Sequence, residues 1–328
     1  MSARRAIIVG CQGQDGVYLS EYLEASNYEV VGIDSGGKTT SLALNVDIRN
    51  RASVRELLSD TKPHEVYYLA AYHQSAEGVV PDPGELVERS FHVNTLALNH
   101  FLHGILTTNA KARLFYAASS RVFGNPDTQE QDERTPFHPV CPYGISKAAG
   151  VYLCRYYRRE FGVYCSTGIL YNHESPRRSA KFLSRKVVKA AVAIKMGRQA
   201  QLVLGNLDAL VDWGYAPDYV RAMWAVLRPD QAGDFVIASG KLHSVREFVE
   251  VAFSTLGLEW KDYVTEDGRV LSPGRPQGIL SGNAEKLRRV TGWLPQVSFC
   301  QMIRIMVEAE LEANQCTAVA SRTREPVT

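Results

Sequence analysis

Ala6-Ile7-Ile8-Val9-Gly10-Cys11-Gln12-Gly13-Gln14-Asp15-Gly16 is the stretch on which the fold turns. The unbroken apolar run Ala6 to Val9 has the length and pattern of a buried strand, and it leads through three glycines spaced GxxGxxG into an amphipathic helix expected to reach about Asn27. Small residues at that spacing let the backbone turn tightly and approach a pyrophosphate, whose charge then sits at the helix N-terminus; Gly10, Gly13, Gln14, Asp15 and Gly16 are the candidate contacts. A glycine triplet alone says little. Its context is a strand before, a helix after and an acid about 20 residues on, and Glu29-Val30-Val31-Gly32-Ile33-Asp34 supplies a second strand that ends in Asp34. The pattern implies a dinucleotide site. A carboxylate at the end of the second strand accepts from a ribose 2′-OH and repels a 2′-phosphate, so NAD is expected in preference to NADP, with Lys38 as the nearby residue that could meet a phosphate. Asp47 and Ile48 either meet the adenine edge or begin a helix that Asp47 caps.

The alternation continues. Val66 to Ala71 reads as a third strand whose small end, Leu69-Ala70-Ala71, would let backbone approach the cofactor, and a long helix is expected from about Pro83 to Thr107. Ala112 to Ala118 is a further strand, and it delivers Ser119 and Arg121 to its C-terminal end, where open α/β sheets place their ligands. In Pro142-Tyr143-Gly144-Ile145-Ser146-Lys147 the Tyr and Lys are four apart, so on a helix they share a face and the ammonium could lower the phenol pKa and ready it to move a proton. Alone, that pair could equally be a surface-helix pair, and Ser119 could merely cap a turn. Topology brings Ser119, Tyr143 and Lys147 together, and with a fifth strand from Val163 to Leu170 the expected class is α/β with a doubly wound parallel sheet in residues 1–171. A smaller C-terminal substrate-binding lobe is expected over 172–315, closed by a helix from Val297 to about Ala313, with 316–328 as a polar, frayed tail.

Composition narrows the classes of function. The 328 residues are 45% hydrophobic, enough for a large core, and the net charge of +2 is spread without a basic stripe, which argues against nucleic acid or an anionic membrane as partner. Six cysteines, Cys11, Cys141, Cys154, Cys165, Cys300 and Cys316, show no metal-ligand spacing, and no apolar run approaches the length of a membrane span. A reduced cytoplasmic enzyme without a metal is the expectation.

Several longer runs resemble one family. Gly13-Gln14-Asp15-Gly16, Asn172-His173-Glu174-Ser175-Pro176-Arg177-Arg178, Leu204-Gly205-Asn206-Leu207-Asp208-Ala209, Asp212-Trp213-Gly214, Asp218-Tyr219-Val220, His243 to Phe248 and Gly292-Trp293-Leu294-Pro295 are similar to motifs of the GDP-mannose 4,6-dehydratases. These are extended short-chain dehydrogenase/reductases with a Rossmann-type fold, and the likeness runs from about Ala6 to Pro295. It implies an NAD(P)-dependent enzyme, assembled as a homodimer or homotetramer, that oxidises C4 of a GDP-sugar. In that family the Tyr takes the C4 hydroxyl proton as hydride leaves for the nicotinamide. A Glu then removes the C5 proton, water leaves from C6, and the hydride returns to C6.

By position the family's strand-end Thr becomes Ser119 and its Glu becomes Arg121, with Gly124 anchoring the match against a one-residue slip. Arginine stays protonated and cannot act as the base. Either Glu77, His73 or Cys141 replaces it, or the enzyme stops at C4 as a dehydrogenase, reductase or epimerase. A protein that binds a nucleotide sugar without chemistry is the alternative of another class. The resemblance also places Asn172 and Glu174 at the substrate, Lys186 at a phosphate unless it is an ordinary helix lysine, Gly205 and Asn206 near the nucleobase, and Arg275 at the pyrophosphate. The chain departs from the family at Val211, Gln277-Gly278 and Asn283, which leaves room for an altered sugar such as a heptose or a modified hexose.

Overall fold

The computed structural model describes residues 3–35, 46–73, 82–108, 111–270 and 278–322. Lys38, Glu77, Arg275 and Gln277 lie outside them. In chain order the first half comprises β1 (Arg4–Val9), α1 (Gln14–Ala25), β2 (Tyr28–Ile33), α2 (Arg51–Thr61), β3 (Glu65–Tyr68), α3 (Pro83–Phe91), α4 (Ala97–Thr108), β4 (Arg113–Ser119), β5 (Glu130–Gln131), α5 (Pro142–Phe161) and β6 (Cys165–Leu170). The second half comprises β7 (Asn172–Glu174), α6 (Leu183–Lys195), β8 (Leu202–Leu204), β9 (Leu210–Tyr215), α7 (Ala216–Ala225), β10 (Asp234–Ile237), β11 (Leu242–Ser244), α8 (Val245–Thr255), β12 (Val264–Glu266), β13 (Ser281–Gly282), α9 (Glu285–Thr291) and α10 (Phe299–Arg322).

The main sheet has six strands in the order β10-β6-β4-β3-β1-β2, every neighbouring pair parallel. Its strands are apolar runs because helices cover both faces. Leu58, Leu98, Phe101 and Val151 of α2, α4 and α5 pack one face, and Leu19, Leu23, Tyr219 and Met223 of α1 and α7 pack the other. This is the expected doubly wound sheet. A third core, with Val187, Phe248 and Ile303, holds α6, α8 and α10 together in the smaller lobe.

Three expectations need correction. A boundary at residue 171 does not follow the layers, because α7 and β10 return from the second half of the chain to cover and extend the main sheet. The tail expected from Cys316 begins instead as helix, since the backbone of α10 runs to Arg322. The helix expected over 83–107 is broken by one wide turn, His92–Leu96, between α3 and α4. That turn buries Asn94 and Thr95. Asn94 accepts from Tyr72 N at 2.9 Å and donates to Ser146 Oγ at 3.0 Å, while Thr95 Oγ1 donates to the Ser146 carbonyl at 2.9 Å. The wide turn thereby bolts α5 beside Lys147, as such bulges often do at functional sites.

Candidate active site

The glycine loop is shaped by close approach. Gly10 has φ of 92°, and a Cβ on it would lie 2.9 Å from Ala70 N, while a Cβ on Gly16 would lie 2.3 Å from the Gly10 carbonyl oxygen. Neither position admits a larger residue, so β1, the end of β3 and the tip of α1 meet at backbone distance. Gly13 caps α1 without a side-chain acceptor, leaving first-turn N–H groups for an anion. Gln12 N donates to Asp34 Oδ2 at 3.1 Å, which draws the second-strand carboxylate against the loop.

Gln14 and Asp15 line the candidate cavity, and their side chains also bond across to β7. Gln14 Nε2 donates to the His173 carbonyl at 3.1 Å, and its Oε1 accepts from Ser175 Oγ at 2.8 Å. Asp15 Oδ2 pairs with His173 Nε2 at 2.9 Å. Burial by itself would raise the Asp15 carboxyl and lower the His173 imidazole, but their mutual attraction outweighs it, holding the acid below and the imidazole above their ordinary ranges. These side chains are therefore occupied in tying the glycine loop to β7.

Two adjoining cavities share Gly10, Gly13, Leu69 and Ala71. One, of about 730 Å³, is bounded by Asp34, Asp47, Ile48, Arg49 and Ala70. Asp47 does not cap α2, since Asn50 does so, accepting from Ala52 N and Ser53 N. Its carboxylate is instead held by the fork of Arg49, with both contacts at 2.9 Å. The other cavity, of about 390 Å³, runs to Ser119, Arg121, Tyr143 and Lys147 and is walled by His73, Asn172, Arg178, Lys181 and Phe182. Among the described residues Asp15 is its sole lining acid. Glycine loop, open helix N-terminus, ribose-side carboxylate and Tyr/Lys pair lie along one trough, so the residues present suit a nicotinamide dinucleotide.

At the catalytic corner, Ser119 ends β4 in extended backbone, accepts from Arg121 N at 3.3 Å and hydrogen-bonds the Tyr143 hydroxyl. Burial pushes the Tyr143 phenol up to about 12 against the lowering effects of the Ser119 hydrogen bond and the charges of Arg178 and Arg121. Only 1% exposed, Lys147 is itself pulled down to about 7 by burial, and its Nζ donates to the Ala117 carbonyl at 2.7 Å, 5.8 Å from the Tyr143 ring centre. The pair shares a helix face as sequence spacing requires, and dryness weakens the hold of the amine on its proton.

This makes Lys147 a stability liability with a definite pH window. Its folded pKa of about 7 lies below the ordinary 10.5, so between those values the unfolded chain binds a proton that the folded chain lacks, and stability rises with pH across that interval. Between about pH 7 and about pH 9 the gain should be roughly 2–3 kcal/mol. Lys147→Met should flatten that rise while abolishing turnover, as read from urea midpoints across the interval. Parallel pH profiles for the two proteins would remove the explanation.

The structure brings Ser119, Arg121, Tyr143, Lys147 and Asn172 to one cavity with Gly10, Gly13, Gly16 and the end of β3. It does not bring Glu174, which is 3% exposed and spent on Arg178 Nε at 3.2 Å and Ser184 Oγ at 2.5 Å. Asn172 begins a short strand, not a loop. Lys186, in the first turns of α6, is not among the lining residues; Arg178 and Lys181, just upstream, take that place. Gly205 and Asn206 form a turn after β8, with Asn206 Oδ1 accepting from Asp208 N at 2.8 Å, and neither lines the two cavities. Asp212 and Asp218 have structural work. Asp212 accepts from Ser239, Gly240 and Gly282, and Asp218 accepts from Gln296 N and Val297 N. Phe182, stacked 3.5 Å below the Arg178 guanidinium, and Arg49 were not foreseen.

Sheet, glycine loop and Ser/Tyr/Lys corner together define an NAD(P)-dependent short-chain dehydrogenase/reductase. The family model described as GDP-mannose 4,6 dehydratase matches residues 7–306, and the chain belongs to that family. GDP-mannose 4,6 dehydratase 2 of Arabidopsis thaliana is 38% identical over 331 residues, covering 94% of this chain and 87% of the plant protein. Among solved structures, Thermotoga maritima UDP-glucose 4-epimerase with UDP-glucose superposes with a TM-score of 0.81 at 19% identity, covering 94% of this chain and 99% of that one. The Thermus thermophilus UDP-glucose 4-epimerase complex with NAD gives a TM-score of 0.77 at 24% identity, with 93% and 98% covered. Among the described residues no helix is long and apolar enough to cross a membrane.

Proposed function

We propose that this protein oxidises the C4 hydroxyl of a GDP-sugar to a ketone and stops there. The observation that carries this reading is Arg121, a permanently charged residue in the cavity of Ser119 and Tyr143, at the position where a carboxylate would be needed to remove the C5 proton. A bound oxidised nicotinamide supplies the hydride acceptor. Ser119 and Tyr143 receive the C4 hydroxyl as donor and acceptor, and the Tyr143 oxygen takes its proton. The charges of Arg121 and Arg178 favour the phenolate that must form. Lys147, held by the Ala117 carbonyl, positions an amine below the phenol ring. Lys181 and Arg178 offer cationic contacts to the substrate diphosphate, with Asn172 beside them.

A second reading has one observation in its favour. The His73 ring meets the Tyr143 ring edge-on at 4.6 Å between centres, so an imidazole stands at the site and could take a C5 proton. One experiment separates the two: protein, NAD and GDP-mannose or related GDP-sugars, followed by nicotinamide absorbance and product mass. Stoichiometric NADH with all sugar oxygens retained supports the dehydrogenase. Loss of one water without net NADH supports a dehydratase in which His73 replaces the glutamate.

NAD is the proposed cofactor. Asp34 offers a carboxylate to a ribose diol, and Arg49, the one arginine among the described residues lining that cavity, has its fork filled by Asp47. Asp34→Arg should move the NADP-to-NAD preference by at least about tenfold, equivalent to ~1.4 kcal/mol; an unchanged ratio of kcat/KM values would take that role from Asp34. Self-association through α5 is also proposed, since Ile145, Tyr152 and Tyr156 expose 43–55% of their surface on one face of that helix; light scattering reads the mass directly.

A further inference from the structure

Among the described residues no acid pairs with Arg121. Asp15 is held by His173, and Glu174 by Arg178 and Ser184. Glu133, an acid near in sequence, accepts instead from Val236 N at 2.7 Å and lines a separate cleft with Asp132, Asp234 and Lys286. The base of Arg121 is nonetheless fixed. Its N–H is bound to Ser119, and a Cβ on Gly144 would come within 2.6 Å of the Arg121 carbonyl oxygen, so the first turn of α5 clamps this residue beside the reacting hydroxyls. A guanidinium that always carries charge, exposed to the cavity and with no acid partner among the described residues, is arranged to receive an anion in a two-pronged contact.

Resting on the C4-oxidation reading, we infer that the substrate sugar carries a carboxylate at C6, a hexuronate attached to GDP, and that Arg121 receives it. When the C4 hydroxyl lies at Tyr143 and Ser119, a cation two residues beyond Ser119 meets the substituent of the neighbouring carbon. One chemical change then accounts for both halves of the substitution. A C6 carboxylate needs a cation, and it also removes the C6 hydroxyl that elimination would expel, so no C5 base is required. The redox step balances: C4 loses a hydride to the nicotinamide and its hydroxyl proton to Tyr143, giving a 4-ketone and NADH.

The test compares GDP-mannuronate with GDP-mannose in the wild type, Arg121→Gln and Arg121→Lys, reading NADH formation and, separately, NAD binding by fluorescence. The wild type should prefer the acid by about 100-fold in kcat/KM, the scale of a hydrogen-bonded charge pair. Arg121→Gln should bring that ratio near unity, and Arg121→Lys should restore part of it. A wild type that uses GDP-mannose as well as the acid would overturn the inference while leaving C4 oxidation intact. Equal losses on both substrates in Arg121→Gln would also overturn it, because Arg121 would then be gripping the diphosphate. If NAD binds but neither sugar, nor any other GDP-sugar, forms NADH, the C4-oxidation reading falls and takes this inference with it.

Discussion

Tyr143→Phe should lower kcat by about three orders of magnitude, within the usual range for a positioned proton acceptor, while NAD affinity changes by less than about threefold. The phenol oxygen is the group that Ser119 orients, and the charges of Arg178 and Arg121 converge on it. Burial otherwise drives the phenol up to about 12, so its ionisation has to be helped by its neighbours, and phenylalanine removes the atom on which that help acts. Dinucleotide binding draws on the glycine loop, the open tip of α1 and Asp34, which the substitution does not touch. Steady-state rates and fluorescence titration measure the two effects independently. The same variant separates an enzyme from a protein that only binds a nucleotide sugar, because the latter would lose nothing with the hydroxyl.

How far the sequence reaches depends on what kind of physics places each residue. The central sheet was readable because a strand buried on both faces must be a continuous apolar run, and Ala6 to Val9 and Leu114 to Ala118 are such runs. The glycine loop was readable because close backbone approach leaves no other residue at Gly10 and Gly16. The return of β10 was not readable: Asp234–Ile237 is a strand of four residues, and its place at the sheet edge is decided by pairing with β6. The wide turn at His92–Leu96 escaped because its cause is tertiary, namely the bonds of Asn94 and Thr95 to Ser146. Spacing put Tyr143 and Lys147 on one face but could not report how dry Lys147 would be, and burial lowers the pKa of that amine. Gln14, Asp15 and Glu174 are charged or polar residues in family-like motifs and read as ligand contacts; Gln14 and Asp15 do line the cavity while also bonding toward β7, whereas Glu174 is spent joining α6 to β7. Arg178 and Lys181 sit in an irregular loop where no periodicity says which side chain faces the cavity.

Arg121→Glu should convert the protein toward dehydration of GDP-mannose. Two residues after Ser119, position 121 lies in the cavity that contains Tyr143, so a carboxylate there stands beside the carbon next to the new ketone. That ketone acidifies the C5 proton, and an ionised carboxylate can accept it where a guanidinium cannot. The substitution also places a negative charge near the Tyr143 phenol, raising its pKa and slowing the first oxidation. The expected outcome is therefore slower C4 oxidation than in the wild type, accompanied by a sugar nucleotide lighter by one water and by NADH that no longer accumulates, because the hydride returns to C6. Product mass and nicotinamide absorbance read the two parts separately. An Arg121→Glu protein that still releases NADH and a ketone with every oxygen retained would mean that the obstacle to elimination is the placement of C6 in the cavity. If the wild type already releases water, and His73→Asn stops that release without stopping C4 oxidation, the imidazole beside Tyr143 is the base and position 121 serves only to hold the sugar. The competing accounts of Arg121 thus predict different masses from the same incubation, and the chemistry at C5 and C6 decides between them.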